Sequence, residues 1–299
     1  MTQLLQLLGS GLALGAIYAL VALGFVVIYR ASEVFNFAHG ELLTVGAFLM
    51  VTLCQAGMPW GLALLGTMVG TGLLAAIIER GVLRPLVGRP VFVTIIVTIF
   101  VALILRALVL LVWGTETYGL PTPWPTMAAV TLPGGASILW NSIAAIVAAA
   151  LVLSVLYVAV RATSLGVAMR ATASDQETAL GLGIPVGRVF GLTWFLAGAT
   201  AALAGVFLGL FPRTVEPTLG FVALRAFPAV VVGGLDSVGG TVIAALLLGL
   251  LEVLAQGYLN EQLGDFGHNF HAVFPYLAMI LLLMVRPQGL FGSEHVERL

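Results

Sequence analysis

Asn36, His39 and Glu41 stand within six positions of one another, in the stretch Val34-Phe-Asn-Phe-Ala-His-Gly-Glu-Leu-Leu-Thr-Val-Gly-Ala-Phe48, with long apolar runs on both sides. An imidazole two residues from a carboxylate suggests proton transfer. Catalysis would also need a nucleophile or a metal partner. The chain has no G-x-S-x-G and no H-E-x-x-H, and its lone Cys54 belongs to no zinc-like spacing. Two other readings remain open. Asn36 caps the free amides of a helix start while Glu41 sits favourably at the positive helix end. Alternatively, the cluster interrupts a membrane span and lines a transport path.

Other charges also sit where apolar residues dominate. Arg106 lies inside the apolar run 91–113, Arg225 inside 221–234 and Glu252 inside 241–257. An unpaired carboxylate costs at least about 2.5 kcal/mol at a bilayer centre. Glu252 should therefore face the bundle interior and either hold a proton or pair with Arg106 or Arg225. Glu79 closes an earlier run with Arg80 beside it and Arg84 about one turn on, which predicts an ion pair at the membrane boundary.

Ser174-Asp175-Gln176-Glu177 has the S-x-x-E spacing of a capping box. Ala179, Leu180 and Leu182 follow, then Gly183 as a stop and Pro185 just beyond. The pattern predicts a helix of about two turns standing clear of the membrane. So short a helix is marginal alone, so it rests on lipid headgroups or docks on a cytoplasmic protein.

These residues need a hydrophobic solvent around them. The chain has 299 residues, 61% hydrophobic and 8% charged, with a mean hydropathy of +1.13. A soluble domain carries about 25% charged residues. The expected fold is an all-α polytopic bundle of about eight long spans plus a short broken or re-entrant helix. Apolar runs fall at 4–29, 42–56, 60–79, 91–113, 138–160, 189–211, 221–234, 237–257 and 271–285. The run 221–234 is the short one, interrupted by Arg225, Pro228 and the Gly233-Gly234 pair. Residues 1–29 lack a basic leading segment and read as a retained first span. A formal net charge of −1 gives nucleic-acid binding no support.

All 12 basic residues are arginine. They gather at 80–89, at 161–188 and in the tail at Arg286 and Arg298, whereas 114–137 and 258–270 have none. This asymmetry predicts a cytoplasmic C-terminus and a periplasmic N-terminus, with Arg213 the exception. The 36 glycines, including the G-x-x-x-G pairs Gly11/Gly15, Gly66/Gly70 and Gly205/Gly209, predict close helix contact. A weak internal echo joins Leu83-Arg-Pro-Leu-Val-Gly88 to Val285-Arg-Pro-Gln-Gly-Leu290.

Six stretches in order resemble one family: Gly15-Ala-Ile-Tyr-Ala-Leu-Val-Ala-Leu-Gly24, Asn36-Phe-Ala-His-Gly-Glu41, Ile78-Glu-Arg80 with Arg84-Pro-Leu86, Leu180-Gly-Leu-Gly-Ile184, Val232-Gly-Gly234 and Arg286-Pro-Gln-Gly-Leu290. The chain resembles the inner-membrane permease subunit of branched-chain amino acid ABC importers, the Liv-type hydrophobic amino acid uptake family. Ala226-Phe-Pro228 departs from the pattern by carrying proline. The resemblance implies one transmembrane domain over 1–299. It implies a second related permease, two cytoplasmic ATPase subunits and a periplasmic substrate-binding protein as partners. The helix in the cytoplasmic loop 161–188, with Ser174, Asp175, Glu177, Ala179, Leu180 and Leu182, would be the coupling helix seated on an ATPase. The chain has no G-x-x-x-x-G-K-[ST], so ATP and magnesium belong to the partners, and no cofactor or metal is expected here. Helix breaks at Asn36, His39 and Glu41 and at Gly233 and Gly234 are the candidate path, where open amides would meet a substrate carboxylate. A urea or short-amide permease of the same class, and a self-sufficient transporter or channel, are the alternatives.

Overall fold

Inside a bilayer no water satisfies the backbone, so each segment must satisfy its own amides, and the helix does this. The computed structural model describes residues 2–86, 88–131, 135–210, 212–262 and 270–292. Among them the helices are α1 (Thr2–Ser32), α2 (His39–Gln55), α3 (Trp60–Ile78), α4 (Val91–Trp113), α5 (Trp140–Ala162), α6 (Ser164–Ser174), α7 (Gln176–Gly181), α8 (Val186–Leu208), α9 (Phe221–Gly233), α10 (Val238–Gln262) and α11 (Phe270–Val285). A small antiparallel hairpin, β1 (Ala129–Thr131) and β2 (Ser137–Leu139), pairs Ala129 with Leu139 ahead of α5.

Six of the described helices are long and apolar enough to cross a membrane: α1, α3 with its terminal turns, α4, α5, α8 and α10. The sequence predicts about eight. The difference lies in α2 and α11, with 17 and 16 residues, whereas α9, with 13, is the short helix expected over 221–234. The start of α2 is buried against the start of α9, where Gly40 meets Gly220. Pro228 is carried within α9, buried, where it removes one backbone donor.

The layering follows burial. In α1, 94% of the most apolar window is buried, and α8 follows at 78%. Helix α1 packs against α10, α8, α5 and α9 and forms the axis of the bundle. By contrast α4 and α5 are only 22% and 17% buried over the same measure. Their outward side chains, such as Phe100, Leu111 and Leu151, suit lipid tails or another membrane subunit. Small residues set the close approaches. A Cβ on Gly15 would lie 2.7 Å from the Leu246 backbone of α10.

The two ends of the bundle differ. At one end Trp60 donates to the Pro121 carbonyl at 3.0 Å, and Tyr118 pairs antiparallel with Val215. At the other, Arg84, Arg89 and Gln176 border one cavity, and Arg30, Arg161, Arg170 and Asp236 another. The arginine-rich segments thus share an end, and Arg213 sits near the opposite one, beside Val215. Arg298 lies outside the described residues.

Candidate transport site

The chain leaves α1 at Ser32 and reaches α2 through residues 33–38. Asn36 is buried, and its side-chain carbonyl accepts from the Ala38 amide at 3.0 Å. This is a turn just ahead of the helix. Ala38 itself occupies the N-cap position without a side-chain cap, so Asn36 acts two residues ahead of the cap. His39 is fully buried, with Nε2 3.1 Å from the Val21 carbonyl. A carbonyl only accepts, so the proton resides on Nε2. The ring meets Phe25 edge-on, with centroids 4.6 Å apart. A Cβ on Gly24 would collide with the imidazole, so that glycine makes the seat for His39. This histidine ties α2 to α1, and among the described residues its ring bonds no carboxylate.

Glu41 lies in the first turn of α2, 4% exposed. Its Oε1 takes an ion pair from Arg106 of α4, and Oε2 has no hydrogen-bond partner among the described residues. Arg106 also lies over the Phe221 ring, 4.1 Å from its centroid. Phe221 is the first residue of α9. The starts of α2 and α9 therefore converge. A Cβ on Gly40 would lie 2.6 Å from the Gly220 carbonyl oxygen, and one on Gly220 would lie 2.8 Å from that of Gly40. Only glycine at both positions permits this approach. Between these starts and α4 is a cavity of about 210 Å³ whose lining includes Glu41, Arg106, Phe25 and Leu224.

The second intramembrane pair encloses its acid, while its arginine is partly exposed. Glu252 of α10 is 1% exposed, accepts from the Tyr18 hydroxyl at 2.7 Å and faces Arg225 of α9 at 3.5 Å. Of the two partners offered by the sequence, Arg225 is the one used. Arg106 goes to Glu41, a pairing across 65 positions that no local pattern announces.

Residues 7–284 match the family described as branched-chain amino acid transport system / permease component. The chain belongs to this family. It is 32% identical to the high-affinity branched-chain amino acid transport system permease protein LivH of Salmonella typhimurium, covering 98% of this chain and 97% of that one. It is 31% identical, over the same shares, to the corresponding permease protein BraD of Pseudomonas aeruginosa. A probable branched-chain amino acid transport permease protein LivH of Methanocaldococcus jannaschii is 29% identical over 92% of this chain and 88% of its own. The protein is a multi-pass membrane permease.

The other expected sites of the permease fall elsewhere. Glu79, 2% exposed, is gripped by Arg84 through bonds of 3.0 and 2.7 Å. A single turn of π geometry over Glu79–Leu83 widens the helix so that positions five apart can meet. Arg84 also donates to the Gly187 carbonyl at 2.5 Å, which fastens the end of α3 to the start of α8.

Gly233 and Gly234 end α9, and Gly234 has φ +98°. They pack against residues 289–292 and Thr241, not against Asn36. The two breaks named by the sequence are therefore not brought together. The partner of the Asn36–Glu41 break is Gly220-Phe221, which sequence reasoning missed. Gly220 offered no charge or motif as a signal.

Ser174 ends α6, and the cap of α7 is Asp175 instead. The Asp175 carboxylate accepts from the Thr178 amide at 3.2 Å and from its hydroxyl at 2.5 Å. The cap of α7 therefore falls one residue later than expected, at the corner between α6 and α7 where the Asp175 backbone is extended. The side chains of Ser174 and Glu177 lie outside the described residues. Gly183 does end the helix as expected, with φ +81°. Gly183 N–H bonds the Leu180 carbonyl at 2.9 Å, and Ile184 N–H bonds that of Ala179 at 3.0 Å. Ala179 packs inward with Ala31, Val186 and Phe190, while Leu180 and Leu182 are 59% and 76% exposed.

Proposed function

We propose that this chain is the permease subunit of an ATP-driven importer that carries branched-chain amino acids across the inner membrane by alternating access. Near-full-length similarity to permeases named for those substrates supports the solute. The observation that carries the machine is the α6–α7 corner. Two leucines stand outward on a helix capped at both ends, at the arginine-rich end of the bundle. Exposed leucines on a marginal helix suit a partner's groove better than water.

In this reading the whole of 1–299 is one transmembrane domain with a cytoplasmic C-terminus and a periplasmic N-terminus, by the excess of arginine on the cytoplasmic side. The partners are a second related permease, two ATPases that hold ATP and magnesium, and a periplasmic binding protein. Ser174, Asp175, Glu177, Ala179, Leu180 and Leu182 form the coupling element. The Glu79–Arg84–Gly187 link gives a push on α7 a route from α8 into α3.

Leu180→Asp and Leu182→Asp test the coupling. Each should leave the complex assembled but separate ATP hydrolysis from leucine uptake. Normal coupling in both variants would refute the assignment. In liposomes this chain alone should pass neither leucine nor urea, and flux from it alone would make it a channel or secondary transporter.

A further inference from the structure

The Glu41–Arg106 pair is incomplete in a way the other pairs are not. Arg84 grips both oxygens of Glu79. Glu252 uses one oxygen for Tyr18 and the other for Arg225. In the third pair Glu41 Oε2 is buried without a partner, and so is Arg106 Nε. An acceptor on the acid and a donor on the base are thus unsatisfied yet closed off, on two residues that line the same cavity, so a ligand there meets them only as the pair turns toward it. Burial without a hydrogen bond is costly, and the missing partner is one that donates to a carboxylate and accepts from a guanidinium.

A zwitterion does both. We propose that the cavity between the starts of α2 and α9 is an intramembrane binding site for a zwitterionic α-amino acid with an aliphatic side chain, its ammonium taken by Glu41 and its carboxylate by Arg106. The proposal rests on the importer reading above and adds a site to it. Two further features point the same way. The starts of α2 and α9 touch at Gly40 and Gly220, so two positive helix ends lie beside the cavity and favour a carboxylate there. The remaining wall is apolar, with Phe25, Ile99, Leu103 and Leu224, and suits a branched hydrocarbon side chain. A volume of about 210 Å³ admits one small amino acid. Ile99, Leu103 and Leu224 are exposed at its mouth, so the site opens sideways from this chain, where a second permease would complete the path.

The test is binding of radiolabelled leucine to the purified complex of both permeases and the ATPases, without the binding protein. Leucine amide, which lacks the carboxylate, and 4-methylpentanoate, which lacks the ammonium, serve as competitors. Unlabelled leucine should displace the label, and each analogue should be at least tenfold weaker. Glu41→Gln should weaken leucine binding at least tenfold. Ala102→Phe, which fills the cavity and leaves the charges in place, should abolish it and decides the matter if Glu41→Gln does not assemble. Analogues that compete as well as leucine, or undiminished binding in an assembled variant, would overturn the site. If cells import leucine through the wild-type complex but the complex binds none alone, the site falls and the importer stands. If cells import none, the importer reading itself falls.

Discussion

Glu252 and Glu41 are both buried carboxylates on membrane helices, each paired with an arginine of another helix, yet their surroundings differ. Glu252 sits among α1, α9 and α10 with both oxygens engaged. Glu41 sits at a helix start beside a cavity with one oxygen engaged. The first arrangement joins three helices at a point where hydrocarbon would otherwise meet charge. The second holds the charges together and leaves bonding capacity over. Both pairs are a glutamate and an arginine on different helices, so composition cannot tell a fastening from a site. The count of satisfied atoms does.

Glu252→Ala should have the largest effect on stability, since it strands Arg225 and the Tyr18 hydroxyl. Removing one partner of a buried pair costs about 3 kcal/mol or more, and the loss should show as a large fall in the thermal midpoint of the purified complex. A variant as stable as wild type would erase the contrast. Gly24→Ala comes next. The added methyl meets the His39 ring, and overpacking of this kind costs about 1–3 kcal/mol. Both the thermal midpoint and transport should fall, because the α2 start is displaced with its histidine.

Tyr18→Phe removes one bond to Glu252 and should lower stability by about 1.5 kcal/mol, with leucine binding kept. A loss of binding at unchanged stability would move the site from Glu41 to Glu252. The smallest stability effect belongs to Glu41→Gln, within about 1 kcal/mol because the amide keeps an acceptor for Arg106. Its effect on binding is large, and that inversion is the sharpest form of the comparison.

Much of this was legible in the sequence. The apolar runs gave the helices and arginine placement gave the shared end. The five-residue spacing of Glu79 and Arg84 announced their pair, and Gly183 announced the end of α7. These are local signals, and helices are governed locally. The pairing of Arg106 with Glu41 was not legible, since it joins residues on different helices through a bundle that must first fold. The meeting of Gly40 with Gly220 was hidden for another reason. What matters there is the absence of side chains, and 36 glycines offer no way to tell which two touch. The shift of the α7 cap from Ser174 to Asp175 is a matter of one backbone angle, below the reach of spacing rules that treat both residue types as good caps.

The end of α9 carries a consequence for the order in which the protein is made. Its Val232 carbonyl is met by the Leu290 amide at 2.8 Å, and Gly234 lies against Gly292. Residues 289–292 leave the ribosome after every helix described here. Helix α9, which supplies Arg225 to one pair and Phe221 to the other, therefore waits for residues 289–292 to be made before it is tied down. A nascent chain released after residue 285 should be cut by protease near Leu235, and a chain extended to residue 292 should resist.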